Sequence, residues 1–292
     1  MAGVETTHLH LYLSPHLDDA VLSCGGQIAQ WVRAGERVRV LTVFAGDVPE
    51  KSARTAFVQE LHARWGLGEN PPAARRAEDI AACKVLGAEA THLDFPDCVY
   101  RLGQMGAPLY PTRDAIFGVV AEVEAGLVEE IGRALGRSRL PRDATVCLPL
   151  TAGHHVDHQI VRAAGEQWAR AEGTGRRLQI AYYEDYPYAE SPEEVKAALD
   201  NLQKSSLALR GHRTQERWAQ GPILRAPEAF LAEVVELDEG AVAAKVAAIA
   251  CYPSQLSTFF ADQGEMAARV RAYAEAVGNG RPAERLWRRE EY

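Results

Sequence analysis

The first 44 residues constrain the fold more than any other stretch of the chain. His8 to Leu13 (HLHLYL) alternates and stops at the loop Ser14-Pro15-His16, the pattern of a strand running into a turn. Asp18 and Asp19 then stand where a helix would begin, Ala20 to Ala34 has helical periodicity, and Gly35 closes it. Carboxylates at a helix start are stabilised by the dipole and by the free amides there. Arg37 to Phe44 (RVRVLTVF) follows, with the Val, Leu and Phe content of a strand buried inside a sheet. Strand, helix and strand in this order predict a βαβ unit, a right-handed crossover and a parallel pair. The loop at His16–Asp19 then lies at the carboxyl edge of the sheet, where sites of open α/β folds gather.

The same reading extends along the chain. Helices are expected over Ala53–Trp65 and Ala73–Leu86, a short strand over Thr91–Phe95, and a surface loop over Asp97–Arg113. Asp114–Leu135 reads as one helix and Ala144–Leu150 (ATVCLPL) as a buried strand. That strand delivers Gly153-His154-His155-Val156-Asp157-His158, from which a helix runs towards Arg170. Leu178–Tyr183 is a further strand, Glu184–Ser191 a loop, and Pro192 opens a helix at its first position. Beyond residue 205 the pattern is less distinct: Glu228–Leu237 fits strand or helix, while Glu239–Ala250 and Gly264–Val277 fit helices. No repeat, low-complexity tract or linker divides the 292 residues. A mostly parallel α/β sheet flanked by helices, in a single domain over 1–292 with a C-terminal elaboration from residue 205 onward, is the expectation.

Charge and cysteine usage exclude several classes. A net charge of −8, with basic residues only in short clusters such as Arg75-Arg76, Arg176-Arg177 and Arg288-Arg289, argues against a nucleic-acid binder. The five cysteines are odd in number and form no Cys-x-x-Cys, so neither a disulfide framework nor a cysteine zinc site is expected, only buried free thiols. The N-terminal Met-Ala-Gly-Val-Glu-Thr-Thr lacks the basic and apolar regions of a signal peptide, and no apolar run is long enough to span a bilayer. A reducing cytoplasm and a small-molecule partner are expected, with no nucleic acid or integral membrane contact; a homo-oligomer stays open.

Two segments carry chemistry: Pro15-His16-Leu17-Asp18-Asp19 and His155-Val156-Asp157-His158. Each follows an expected strand and opens an expected helix, so parallel strands bring both to one sheet edge. Zinc catalysis needs three His or carboxylate ligands and an open position for water. It also needs a carboxylate to take the water proton and an acid for the departing amine. The two segments supply these types with residues to spare. Either alone reads as a polar loop or helix start; their conjunction at two strand ends points to function. His154 reads as a structural or rim residue, and His8, His10, His62, His92 and His212 as structural or surface ones. A Gly-x-Ser-x-Gly elbow, a His-Glu-x-x-His pair and nucleotide-binding glycine loops are absent.

On these residues the chain resembles the PIG-L/LmbE-like de-N-acetylases. Their marks are Pro-His-x-Asp-Asp after the first strand and His-x-Asp-His later, matched here at 15–19 and 155–158. Arg75 to Glu78 with Leu86-Gly87, Asp97 after the next strand, and Lys245 with Tyr252-Pro253-Ser254-Gln255 are similar to further family features. The resemblance implies a Rossmann-like fold and one zinc per chain, although iron or cobalt also suits such ligands. It makes His16, Asp19 and His158 the metal ligands and Asp18 the general base. It gives His155 to the oxyanion or the leaving amine, with Asp157 orienting its ring, and gives Arg75 and Asp97 to substrate hydroxyls or neighbouring groups. Many members carry Pro where Leu17 stands and Glu where Ala20 stands. Some place an oxyanion tyrosine just before His-x-Asp-His; here that stretch is Leu150-Thr151-Ala152-Gly153-His154, so the role is open. The implied activity is removal of an N-acetyl group from an N-acetylglucosamine-type glycoside. A metal hydrolase of another amide and a non-catalytic carbohydrate binder are the competing readings.

Overall fold

The computed structural model describes residues 8–290 apart from 69, 139, 142, 173–176 and 215–229. A seven-stranded sheet organises it. Its strands are β1 (Leu9–Ser14), β2 (Arg37–Thr42), β3 (Glu89–His92), β4 (Asp143–Pro149), β5 (Arg177–Tyr183), β6 (Phe230–Glu236) and β7 (Ala283–Arg289). They are ordered β3-β2-β1-β4-β5-β7-β6. β1 pairs in parallel with both β2 and β4, which makes it the centre of the parallel part; β5 and β3 extend that part on either side. The chain order reverses between β2 and β4, so the carboxyl ends of β1 and β4 open onto a crevice.

The strands bury both faces. Leu9, Leu11 and Leu13 of β1 pack with Val146 and Leu148 of β4 and with Ile131, Leu135, Ile160, Val161 and Ala164. The last five lie on helices α5 (Ala125–Gly136) and α6 (Val156–Glu172). Tyr12, Val38, Val40 and Cys147 point the other way, onto helices α1 (Asp19–Arg33), α3 (Pro71–Leu86) and α8 (Glu239–Ile249). This period-two alternation through fully buried strands is what covered parallel sheets require. Four of the five cysteines are buried, and all five are free thiols, as expected.

The remaining helices are α2 (Ala56–Trp65), the one-turn α4 (Arg113–Ile116), α7 (Pro192–Thr214), α9 (Pro253–Phe259) and α10 (Gln263–Val277). Three expectations need correction. The single helix over 114–135 is two: the chain leaves α4 at Phe117 and re-enters a helix at Glu122–Glu124, just before α5. Gly118, Val119 and Val120 are weak helix formers, and the Ala121 N–H donates to the Tyr110 hydroxyl (2.9 Å) instead of an upstream carbonyl. β3 is displaced to Glu89–His92, and the expected surface loop holds 3-10 turns at Cys98–Tyr100 and Gln104–Gly106. The region after 205 adds α9 and β7, which were not anticipated. β6 and β7 are antiparallel, so the sheet is mixed. The alternatives left for Glu228–Leu237 resolve as strand over Phe230–Glu236; residues 228 and 229 lie outside the described residues, as do the N-terminal seven.

The C-terminal elements reach the site through α1. Lys245 of α8, 2 % exposed, donates from Nζ to the Ser23 carbonyl (3.0 Å) and to Glu284 of β7 (2.8 Å). Glu284 accepts in turn from the amides of Gly26 (3.0 Å) and Gln27 (2.8 Å). A Cβ at Gly26 would lie 2.5 Å from Leu237 Cδ1 and 3.0 Å from Glu284 Oε1, so any side chain there would crowd this contact. The helix that carries Asp19 is therefore tied at mid-length to α8 and β7.

Candidate metal and active site

β1 ends at Ser14, and the turn after it is built by side chains. Ser14 Oγ donates to the His16 carbonyl (2.7 Å) and accepts from the Ala20 amide (3.0 Å), capping α1 in place of Asp18. Asp18 makes no capping hydrogen bond and is left for chemistry. Asp19 Oδ2 accepts from the His16 amide (2.8 Å), which locks the turn.

The two sequence motifs converge here. Asp19 Oδ2 lies 3.1 Å from His16 Nδ1 and 3.3 Å from His158 Nε2. Donors around a tetrahedral zinc at 2.0–2.1 Å lie about 3.3 Å apart, which is how Asp19 Oδ2 stands to each of the two imidazole nitrogens. The far nitrogen of each imidazole is held by a buried carboxylate. His16 Nε2 meets Asp157 Oδ2 at 3.0 Å, and His158 Nδ1 meets Asp185 Oδ1 at 2.7 Å. Such outer carboxylates fix the tautomer that leaves the inner nitrogen free to bind metal. Donor atoms of His16, His155 and His158 also gather within 4.8 Å, as do those of His16, Asp97 and Asp157.

Charge in the cluster is finely divided. Burial opposes ionisation of Asp19, but His158 and His16 hold its carboxyl well below the usual range. Asp157 is likewise held low against its burial, chiefly by the Arg101 guanidinium and by His16. Burial works against protonation of His158, yet Asp19 and Asp185 raise it to about 9; Asp157 and Asp19 raise His16 in the same way. The arrangement accommodates positive charge between the imidazoles and Asp19, where a cation would sit. Asp18 is pushed up to about 7 by burial and by the neighbouring Asp19, with Arg75 pulling the other way.

His155 stands apart electrically. Burial, then the facing His16 and His158 rings, hold it well below its ordinary value, which favours the neutral form. Its Nδ1 accepts from the backbone amide of Asp157 (3.2 Å), which places the proton on Nε2. The structure therefore assigns Asp157 differently from the sequence-based expectation: its amide, not its carboxylate, fixes the His155 ring. The carboxylate is drawn away by Arg101 Nη2 (2.6 Å), the Cys98 amide (3.0 Å) and His16. Arg101 is itself paired with buried Glu124.

The expected substrate residues border this cluster. Arg75 Nη2 is 3.7 Å from Asp18 Oδ2, its guanidinium lies 5.0 Å over the Trp65 ring, and its buried Nε has no partner. Asp97 Oδ2 is 3.8 Å from His16 Nε2, while its Oδ1 accepts from Val99 N. Leu22, Ile249, Leu256, Phe259 and Phe260, with Tyr252 and Gln255, line an apolar recess beside Asp18. Lys245, Glu78 and Ser254 lie outside the cluster: Glu78 ties α3 to the start of α9 through the Ser254 amide (3.1 Å) and hydroxyl. His154 sits on the rim with a positive φ of 60°, beside Thr151 at 73°, both in the loop that delivers His155. His8, His10, His62 and His92 bind protein partners elsewhere, and the side chain of His212 lies outside the described residues. Sequence reasoning missed Asp185, Arg101 and Glu124; only the position of Asp185 just past β5 could have signalled one of them.

Comparison with known proteins points to the same family as the two sequence motifs. The GlcNAc-PI de-N-acetylase (PIG-L) family model matches residues 11–169, just over half of the 292-residue chain. The 2'-N-acetylparomamine deacetylase of Niallia circulans is 30% identical over 200 residues, which is 63% of this chain and 69% of that protein. The enzyme of the same name from Streptomyces fradiae is 30% identical over 190 residues, and the match spans 59% of its length and 63% of this chain. Among solved structures, the zinc-inhibited form of teicoplanin deacetylase Orf2 superposes with a TM-score of 0.72 at 25% identity, covering 97% of this chain and 99% of that one. The A40926 pseudoaglycone deacetylase Dbv21 gives 0.65 at 28% identity, covering 97% of both chains.

Proposed function

This chain belongs to the PIG-L family and with it to the de-N-acetylating hydrolases, and we propose that it cleaves the N-acetyl amide of a 2-acetamido sugar in a small glycoside, with zinc as its metal. The observation that carries the reading is Asp19 Oδ2 held between His16 Nδ1 and His158 Nε2, with Asp18 uncommitted beside it. His16, Asp19 and His158 would hold the ion. Bound there, it would supply Lewis-acid polarisation of the acyl carbonyl and an acidified water.

The chain's own groups do the rest. Asp18 removes the proton of the attacking water. Neutral His155 presents Nε2–H to the reacting amide, oriented by the Asp157 amide, and the Asp157 carboxylate keeps His16 in register. Arg75 and Asp97 position substrate hydroxyls, the buried Arg75 Nε offering an unused donor. The recess beside Asp18 is lined mainly by apolar side chains. Residues 1–292 act as one catalytic domain, since β6 and β7 complete the sheet begun by β1. The five free thiols suit a cytoplasmic setting; no helix among the described residues is long and apolar enough to cross a membrane. The relatives named for N-acetylparomamine support an aminoglycoside-like acceptor sugar.

The test is amine release from a panel of N-acetylglucosamine glycosides by wild type and Asp18→Asn, each with its zinc content measured. Release by wild type, lower by about a hundredfold or more in the variant at equal zinc, is expected. Equal release by both removes Asp18 from its role. Bound zinc with no release from any member of the panel points to a different amide.

A further inference from the structure

The loop that delivers His155 carries a deliberate gap. Gly153 has φ +80°, and a Cβ there would lie 2.6 Å from Cγ of Tyr188 and 2.9 Å from its Cβ. The absent side chain is replaced in space by the Tyr188 ring, which arrives from the 3-10 turn Tyr188–Glu190 after β5. That ring stands edge-on to Phe117 (5.6 Å between centroids) and to His158 (6.3 Å). Phe117 in turn stands edge-on to His155 at 5.4 Å, so Tyr188 and His155 share one wall of the site. Phe117 is there because α4 breaks off at that residue.

The phenol has no other employment. Tyr183 and Tyr252 donate to the Leu13 carbonyl (2.9 Å) and to Asp79 (2.7 Å), whereas the Tyr188 hydroxyl makes no hydrogen bond to a described residue. Tyr188 is half-buried, and its ring lies against Phe117 and His158 on the wall that it shares with His155.

Resting on the deacetylase reading above, we propose that Tyr188 is a further catalytic residue, whose hydroxyl donates a hydrogen bond to the acyl oxygen as negative charge develops on it. His155 Nε2–H is then free to hydrogen-bond the departing nitrogen, which takes the proton that Asp18 removed from the attacking water. The two donors divide the tasks that a single imidazole would otherwise have to perform in turn. The gap at Gly153 is the structural condition for this, because any side chain there expels the Tyr188 ring.

The experiment compares zinc-loaded wild type and Tyr188→Phe on an N-acetylglucosamine glycoside, and titrates both with glucosamine and with its N-methylphosphonyl analogue, a tetrahedral anion. The variant is expected to keep its zinc content, its KM and its affinity for glucosamine. Its kcat should fall by about a hundredfold to a thousandfold, the loss typical of one oxyanion donor, and the analogue should bind at least about tenfold more weakly. Unchanged kcat and unchanged analogue affinity in the variant would overturn the assignment and leave the deacetylase reading intact. A wild type that neither releases amine nor binds the analogue would overturn both, which is a distinct signature. A variant that loses zinc or glucosamine affinity in proportion to kcat would also overturn it, by making the tyrosine structural.

Discussion

Replacing Asp185 by asparagine isolates the support behind His158, one of the proposed metal ligands. The carboxylate uses both oxygens: Oδ1 faces His158 Nδ1 at 2.7 Å and Oδ2 accepts from the Ala152 amide at 2.9 Å. Both partners are donors, and the site is 1 % exposed, so no solvent can substitute. Asparagine offers one acceptor and one NH2 group. In either orientation a buried N–H faces another N–H, at a cost of about 1–3 kcal/mol. If the amide turns its oxygen to Ala152, the His158 ring loses its anchor and the tautomer that frees Nε2. Loss of such an outer partner typically weakens metal affinity about 10- to 100-fold, equivalent to about 1.4–2.7 kcal/mol. Zinc competition against a chromophoric chelator reads the loss of metal affinity, and urea unfolding of the metal-free protein reads the cost of the opposed N–H groups. Asp185→Asn with wild-type zinc affinity and wild-type stability would refute the reasoning that this carboxylate holds His158 in place.

Removing zinc with a chelator should abolish amine release, and restoring zinc should recover it; activity that survives complete metal removal would contradict the assigned role of His16, Asp19 and His158. Arg101→Met should destabilise the fold by about 3–5 kcal/mol, because Asp157 and Glu124 are left buried without their cation, and a denaturant midpoint would measure it. Lys245→Met should cost a similar ~3–5 kcal/mol through Glu284, and pairing it with Glu284→Gln should cost less than the sum of the two single changes. Gly153→Ala should destabilise by about 1–3 kcal/mol through its positive φ and should lower kcat with it.

What the sequence disclosed follows from where its signals are strong. The first βαβ unit was legible because β1 and β2 are buried on both faces, which forces continuous apolar strands with loops at defined ends. The convergence of the two motifs was legible for the same reason: His16 and His158 each follow such a strand, and parallel pairing of β1 with β4 brings them to one edge. The partners behind them were not. Asp185 is one acidic residue in a loop of ordinary polarity, and Arg101 and Glu124 meet from segments whose local pattern says only loop and helix. β7 was missed because Arg285, Arg288 and Arg289 make the strand read as solvated surface, although it lies between β5 and β6 and Arg285 and Trp287 both converge on Glu184. The side-chain direction of Asp157 was likewise invisible, since it is decided by a guanidinium 56 residues away in sequence.

The central claim is a zinc ion shared by three named atoms, and a crystal structure of the zinc-loaded protein with an anomalous map at the zinc edge tests it most directly. The account predicts one strong peak, about 2.0–2.2 Å from His16 Nδ1, Asp19 Oδ2 and His158 Nε2, with Asp18 beside it and unbound. A peak ligated instead through His155 or Cys98, or no peak in that cluster at full zinc occupancy of the sample, would contradict it.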